Sequence, residues 1–341
     1  MVEIDNLKTK VFNGLIWRFL ERILAQGVSF VVSIVLARLL SPDDYGTIAM
    51  INIFIVIGNV FVDGGFNNAL VQKMDSDELD FSTVFHASFI ISIIVYVSFF
   101  LVAPFIADFY GMQILCPALR VLAIQVVIAS FKSIQVAYVQ KTMQFKMFFF
   151  ATLGGTVFSG MLGIFLAYRG FGIWALVIQY LSNSMIDTTV LFVLVKWKPK
   201  LIFSLKRLKG LFGFGWKILV WSLAMQIFDN IRSLVIGKKY SSADLAFYNR
   251  GRSWPNLIIS NINSTISSVL FPTMSNVQND KGRLKNVLRR SCCTSMYLIS
   301  PFMVGMMALG KEIIVVLLTE KWLPAFPYME ISCIYLSFVP L

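Results

Sequence analysis

Polar positions punctuate this chain sparsely, and the apolar intervals between them are long. Ten stand out, roughly residues 13–37, 46–66, 83–105, 114–137, 148–168, 173–195, 211–236, 253–272, 291–309 and 323–341. A bilayer core takes about 20 helical residues, so each interval predicts a membrane-spanning helix. The first is interrupted by Arg18, Glu21 and Arg22 and is followed by no small-residue cleavage pattern, which predicts a retained helix rather than a signal peptide.

One corner of this pattern occurs twice. "VLARLLSPDDYG" begins at Val35 and "VIGKKYSSADLA" at Val235, with Val35/Val235, Ser41/Ser241 and Asp44/Asp244 identical at a spacing of 200 residues. "NALVQKM" (68–74) and "SVLFPTM" (268–274) keep Leu70/Leu270 and Met74/Met274 in the same register, and Asp80/Asp280 also matches. The first corner joins predicted helices 1 and 2 and the second joins 7 and 8, so the repeating unit is six helices. An even repeat gives two lobes of like orientation about an axis along the membrane normal. The fold expected is therefore an all-α polytopic membrane protein of two pseudo-symmetric six-helix lobes, the second incomplete, with about ten helices in total. The N-terminal lobe is placed at 1–195 and the partial C-terminal lobe at 211–341. Between them "KWKPKLIFSLKRLKG" (196–210) sets Leu201, Ile202, Leu205 and Leu208 at helical spacing among six cations, which predicts an amphipathic linker helix on the cytoplasmic leaflet.

Polar residues inside the apolar runs fall into stripes. At about 100° per residue, Arg18, Arg22, Gln26, Ser29 and Ser33 share one side of helix 1, with Glu21 nearby. Helix 2 aligns Asn52, Asn59 and Asp63; helix 8 aligns Asn256, Ser260, Asn263 and Ser267, which makes Asp63 and Asn263 repeat mates. Helix 7 carries Lys217, Ser222, Asp229 and Arg232. A charge at the bilayer centre costs about 2.5–3.5 kcal/mol on insertion scales, so four striped helices point to a shared hydrated cavity between the lobes. The alternative is local i,i+3 pairing of Arg18 with Glu21 and of Asp229 with Arg232. Gln179, Asn183 and Asp187 make a further stripe on helix 6, and Gly155, Ser159 and Gly163 on helix 5 read as a close-packing face.

Composition agrees with lipid as the solvent: 57% of the 341 residues are hydrophobic, 14% are charged, and mean hydropathy is +0.74. The net charge of +12 reads mostly as an orientation signal, not as nucleic-acid binding. With the N-terminus cytoplasmic, the inside segments hold sixteen Lys and Arg, at positions 8, 10, 73, 141, 146, 196–209 and 281–290, against nine outside. Cys116, Cys292, Cys293 and Cys333 show no C-x-x-C spacing and His86 is the sole histidine, so no metal or cofactor is expected. Excess cations in a lipid-accessible cavity suit an anionic, amphipathic substrate, because guanidinium groups pair with phosphate oxygens as planar forks.

"LARLLSPDDYG" (36–46), "FVDGGFNNALVQ" (61–72), "QKTMQFK" (140–146), "GFGIWALV" (170–177), "LAFYNRGRSWPNLI" (245–258) and "LFPTMSNVQND" (270–280) follow in that order. Together they resemble the polysaccharide flippases of the multidrug/oligosaccharidyl-lipid/polysaccharide exporter superfamily, over nearly the whole chain. The resemblance implies a multi-pass transporter of the bacterial cytoplasmic membrane with a V-shaped central cavity. It would move undecaprenyl-pyrophosphate-linked oligosaccharide to the outer face by alternating access, beside the polymerase and glycosyltransferases of its pathway. It also implies that cavity cations hold the pyrophosphate, which agrees with the stripe positions of Arg18, Arg22 and Arg232; Lys217 joins them from its stripe, and the stripes offer Glu21, Asn52, Asn59, Asp63, Asp229, Asn256 and Asn263 as cavity or ion-coupling groups. Two departures stand beside it: Ala246 occupies a position that is usually glycine, and the chain stops inside its tenth apolar run where the family needs at least twelve helices. A multidrug extruder of the same superfamily, a membrane glycosyltransferase using Asp43 and Asp44, and an inactive truncated product remain as alternative readings.

Overall fold

The computed structural model describes residues 2–73, 75–142, 144–276 and 280–339. Side chains are described for these residues apart from 2–16, Arg18, Phe19, Asn68, Phe214, 264–265, 267–269, 271–273, 275–276 and Lys281. No strand occurs among the described residues. The helices are α1 (Val2–Leu39), α2 (Pro42–Asp63), α3 (Phe66–Gln72), α4 (Glu78–Tyr110), α5 (Leu115–Leu122), α6 (Ile124–Thr142), α7 (Lys146–Tyr168), α8 (Ile173–Leu194), α9 (Leu205–Lys239), α10 (Ser242–Asn276), α11 (Lys281–Ala308), α12 (Gly310–Leu318) and α13 (Phe326–Ser337), with a 3-10 turn over Glu320–Ala325.

Eight of the described segments are long and apolar enough to cross a membrane, with α5 and α6 counting as one. Their surfaces are those of a lipid-solvated protein: Leu101, Phe105, Phe158 and Val193 stand exposed along them. Two of the ten expected spans do not meet that standard. The 253–272 run lies in α10, whose apolar stretch is diluted by Asn256, Ser260, Asn261 and Asn263; the 323–341 run contains α13, which at 12 residues is too short.

The repeated corner is a repeated helix cap. Ser41 Oγ accepts from the Asp44 amide at 3.2 Å, while Asp44 Oδ2 accepts from the Ser41 amide at 3.1 Å and the Ser41 hydroxyl at 2.6 Å. Ser241 and Asp244 make the same three bonds at 3.1, 3.1 and 2.7 Å. This reciprocal arrangement satisfies two orphan donors at the start of α2 and of α10. The register beyond it diverges. α2 ends in Gly64 and Gly65, both left-handed at φ 52° and 71°, whereas α10 runs on through Ser264 and Thr265. The Asp80/Asp280 match is one of letters alone, because Asp80 is the third residue of α4 and Asp280 is the N-cap of α11.

The helices gather into two compact units, Met1–Lys239 and Tyr240–Leu341. In the first, the α2–α3 elbow lies against α9. A Cβ on Gly65 would sit 2.3 Å from the Gly215 carbonyl oxygen, so the two backbones meet where no side chain fits. Phe66, Leu70, Val84, Phe85, Ile134 and Leu211 form the buried core of α3, α4, α6 and α9. The predicted close-packing face of α7 is present: a Cβ on Gly155 would meet Asp187, one on Gly163 would meet Gln179, and Ser159 accepts from Asn183 of α8 at 3.1 Å. In the second unit, Gly251 lets α10 close on the Ala325 carbonyl, and Phe247 packs edge-on to the fully buried Trp322.

The linker differs from its expectation. Residues 195–204 are not helical, and the helix begins at Leu205 and continues unbroken through α9. The stretch instead straps across the start of α4: the Lys200 amide donates to Ser82 Oγ and the Ser204 amide to Thr83 Oγ1, each at 3.2 Å. Trp197 stacks on Tyr138 and packs on Phe81. Side-chain hydroxyls thus take the place of helical carbonyls as backbone partners.

Candidate functional site

Among the expected polar groups, the structure brings Asp63 into a cluster. Asp63 Oδ1, at the end of α2, accepts from Ser133 Oγ of α6 at 2.9 Å and from Asn67 Nδ2 of α3 at 3.2 Å; Asn67 also donates to Ser133 at 2.8 Å. Asp63 and Asn67 line a cavity of about 230 Å3 with Gly65, Gln140 of α6 and Ser222 of α9. The Gly64–Gly65 turn is what swings Asn67 back over Asp63. Asn67 Oδ1 is buried and accepts no hydrogen bond among the described residues, which leaves an unused acceptor on the side chain that caps the carboxylate.

The remaining expected residues are placed as follows. Glu21 is half-buried and Arg22 exposed on α1, and the Arg18 side chain lies outside the described residues. On α2, Asn52 and Asn59 are half-buried, and Asn59 Oδ1 is buried without a hydrogen-bond partner among the described residues. Lys217, Asp229 and Arg232 of α9 are exposed, and among the described residues no ion pair joins Asp229 to Arg232. On α10, Asn256 is exposed and Asn263 half-buried. The helix-9 cations do not line the Asp63 cavity, although Ser222 of their stripe does.

A membrane-embedded ion pair escaped the sequence reading. Lys132 of α6 pairs with Asp187 of α8, whose side chain is only 8% exposed. The signal was Lys132 itself, a cation deep within the 114–137 run and outside every loop and every stripe. An ion pair within spanning helices holds α6 to α8 and removes two isolated charges from lipid.

A second polar concentration lies at the end of the bundle where α3, α4 and α9 meet. Asp80 is fully buried and pairs with Lys73 at 2.5 Å and with Arg207 Nη1 at 3.5 Å; Arg207 Nη2 reaches Asp77 at 3.2 Å. Lys200 pairs with Glu78 at 2.8 Å, and Lys141 donates to Ser76 and, at 3.0 Å, to the Lys73 carbonyl. The Asp80 backbone N–H on the Asp77 carboxylate holds that carboxyl below its ordinary 3.8; desolvation opposes this, and the Arg207 and Lys73 charges add smaller downward contributions. Asp44 has its carboxylate engaged by the α2 cap, which leaves it poorly suited to the acid role of a glycosyltransferase.

A family model described as "Polysaccharide biosynthesis protein" matches residues 35–327. The chain belongs to this family. It is 25% identical over 332 residues to the succinoglycan biosynthesis transport protein ExoT of Rhizobium meliloti, covering 96% of this chain and 66% of that protein. It is 24% identical to the teichuronic acid biosynthesis protein TuaB of Bacillus subtilis, over 97% of this chain and 69% of that one. Against the lipopolysaccharide biosynthesis protein WzxC of Escherichia coli it is 22% identical, over 96% and 67%. The chain thus spans about two thirds of the length of these relatives. In fold it resembles the lipid II flippase MurJ in an inward closed conformation, with a TM-score of 0.70 at 16% identity over 96% of this chain and 76% of that one. It also resembles an inward-facing MATE multidrug transporter of the MOP superfamily, with a TM-score of 0.63 at 14% identity over 94% and 88%.

Proposed function

We propose that this polysaccharide-biosynthesis family member flips undecaprenyl-pyrophosphate-linked oligosaccharide across the bacterial cytoplasmic membrane by alternating access. The observation that carries the reading is the family match along most of the chain, on a helical frame whose spanning segments hold ionisable side chains. The named relatives belong to succinoglycan, teichuronic acid and lipopolysaccharide biosynthesis, and the first is a transport protein. The sixteen-to-nine cation bias supports a cytoplasmic N-terminus.

In this reading Arg18, Arg22, Arg232 and Lys217 hold the pyrophosphate. Asp229 and Arg232 make no pair with each other, which favours a ligand role over a structural one. Glu21, Asn52, Asn59, Asp229, Asn256 and Asn263 supply further polar lining. Asp63, which lines one small cavity together with Asn67, Gln140 and Ser222, is the strongest candidate for coupling an ion. A multidrug extruder shares the fold, but the four cations against three acids among the proposed site residues favour an anionic cargo.

The test is complementation: the complete reading frame that carries this sequence is expressed in a bacterium lacking its polysaccharide flippase. Restored surface polysaccharide is expected. Normal membrane insertion with no surface polymer, across hosts with several repeat-unit chemistries, would refute the reading.

A further inference from the structure

Between α3 and the first turns of α9 lies a cavity of about 800 Å3, separate from the polar stripes and from the Asp63 cluster. Its walls are Gln72, Lys73, Lys206 and Arg207, and its floor is Ala69, Gly210 and Leu211. Lys73 and Arg207 are held in place by Asp77 and Asp80. Lys206 makes no ion pair among the described residues, so the three cations exceed the two carboxylates by one charge. The 35-residue α9 begins here, and its N-terminal dipole adds partial positive charge. Arg207 meets each carboxylate through one nitrogen, which leaves guanidinium N–H groups for a further acceptor.

Position separates a lipid ligand from a soluble one. The cavity lies where spans end: α4 begins at Glu78 and the apolar part of α9 begins at Gly215. The strap beside it exposes Leu201 at 96% and Phe203 at 47%, and the first residue of α9, Leu205, is 65% exposed, apolar side chains that an acyl layer would cover. An apolar floor under a cationic wall at the membrane interface matches a headgroup phosphate whose glycerol and chains continue into the bilayer.

We propose that this cavity binds the phosphodiester headgroup of an anionic phospholipid as a resident lipid distinct from the transported cargo. Lys206 and Arg207 contact the phosphate, and the Asp77/Asp80 pair orients Arg207. Bound lipid joins α3, α4 and α9 at one membrane face.

The experiment is native mass spectrometry of the full-length protein released from nanodiscs containing phosphatidylglycerol and phosphatidylcholine. Retention of phosphatidylglycerol over phosphatidylcholine is expected. Lys206→Gln should weaken it about fivefold, as for one basic group near an anionic surface, and Lys206→Arg should preserve it. Lys209→Gln, a neighbouring cation outside the cavity, should leave it unchanged. Equal losses from Lys206→Gln and Lys209→Gln would show diffuse surface attraction and overturn the site. Inorganic phosphate displacing the lipid at equal concentration would make it a soluble-anion site, and displacement by undecaprenyl pyrophosphate at equal concentration would make it a cargo site; either result overturns the proposal. The readout is lipid retention, so its failure is distinct from failure to export polysaccharide.

Discussion

Single residues in this protein are used where lipid makes them costly. Lys132 and Asp187 illustrate the principle: either charge alone would be left in an apolar span. Lys132→Met or Asp187→Leu alone should destabilise the folded state by about 3 kcal/mol, the low end for a buried pair because the lysine is 36% exposed. The double variant should regain most of this, measured as melting temperature in detergent; a double variant as unstable as the sum of the singles would deny the coupling. Asp77 shows the same economy at the interface. Its carboxyl is held below its ordinary 3.8, so its contribution to stability is present above about pH 4 and fades as pH falls through the lowered folded value. Wild-type melting temperature should therefore drop more steeply between about pH 5 and pH 3 than that of Asp77→Asn, and parallel profiles would remove Asp77 from the account. Asp63 and Asp187 were visible as intramembrane acids from their spacing. Their distant partners Ser133 and Lys132 were not, because contacts spanning 70 and 55 residues leave no local periodicity; Asn67, four residues from Asp63, is brought back to it by the Gly64–Gly65 turn, which breaks the helical pattern.

At the scale of elements, glycine placement decides how closely helices approach. The Gly64–Gly65 elbow ends α2, starts α3 and lets the α9 backbone through at Gly215. Gly65→Ala demands a left-handed alanine and a Cβ at 2.3 Å from a carbonyl oxygen, so it should cost more than about 2 kcal/mol and lower the yield of folded protein. Gly213→Ala, at a position with open space around it, is the matched control. Equal behaviour of the two would mean that the elbow shifts without cost. Periodicity exposed the long apolar helices and the α7 packing face because each is a local property of one segment. It misjudged 196–204, where leucine spacing suggested a helix but Pro199 sits amid tertiary hydroxyl partners on α4 that anchor an extended strap. The Ser41 and Ser241 corners were legible as a repeat and became chemistry once both proved to be reciprocal caps.

For the whole molecule, two compact helical units and a MurJ-like and MATE-like fold accompany membership of a polysaccharide-biosynthesis family. Fold leaves the cargo open, since flippases and drug extruders share it. Charge distribution is the discriminating property in this account, with cationic stripes matched to a pyrophosphate. The decisive measurement is translocation of labelled undecaprenyl-pyrophosphate oligosaccharide in vesicles containing the complete protein, compared with Arg18→Ala, Arg22→Ala and Arg232→Ala variants. Wild-type protein should carry the label across, and each variant should slow it roughly tenfold or more, the loss of one charge-assisted phosphate contact. Transfer by all three variants at the wild-type rate, with each properly inserted, would contradict the cationic grip.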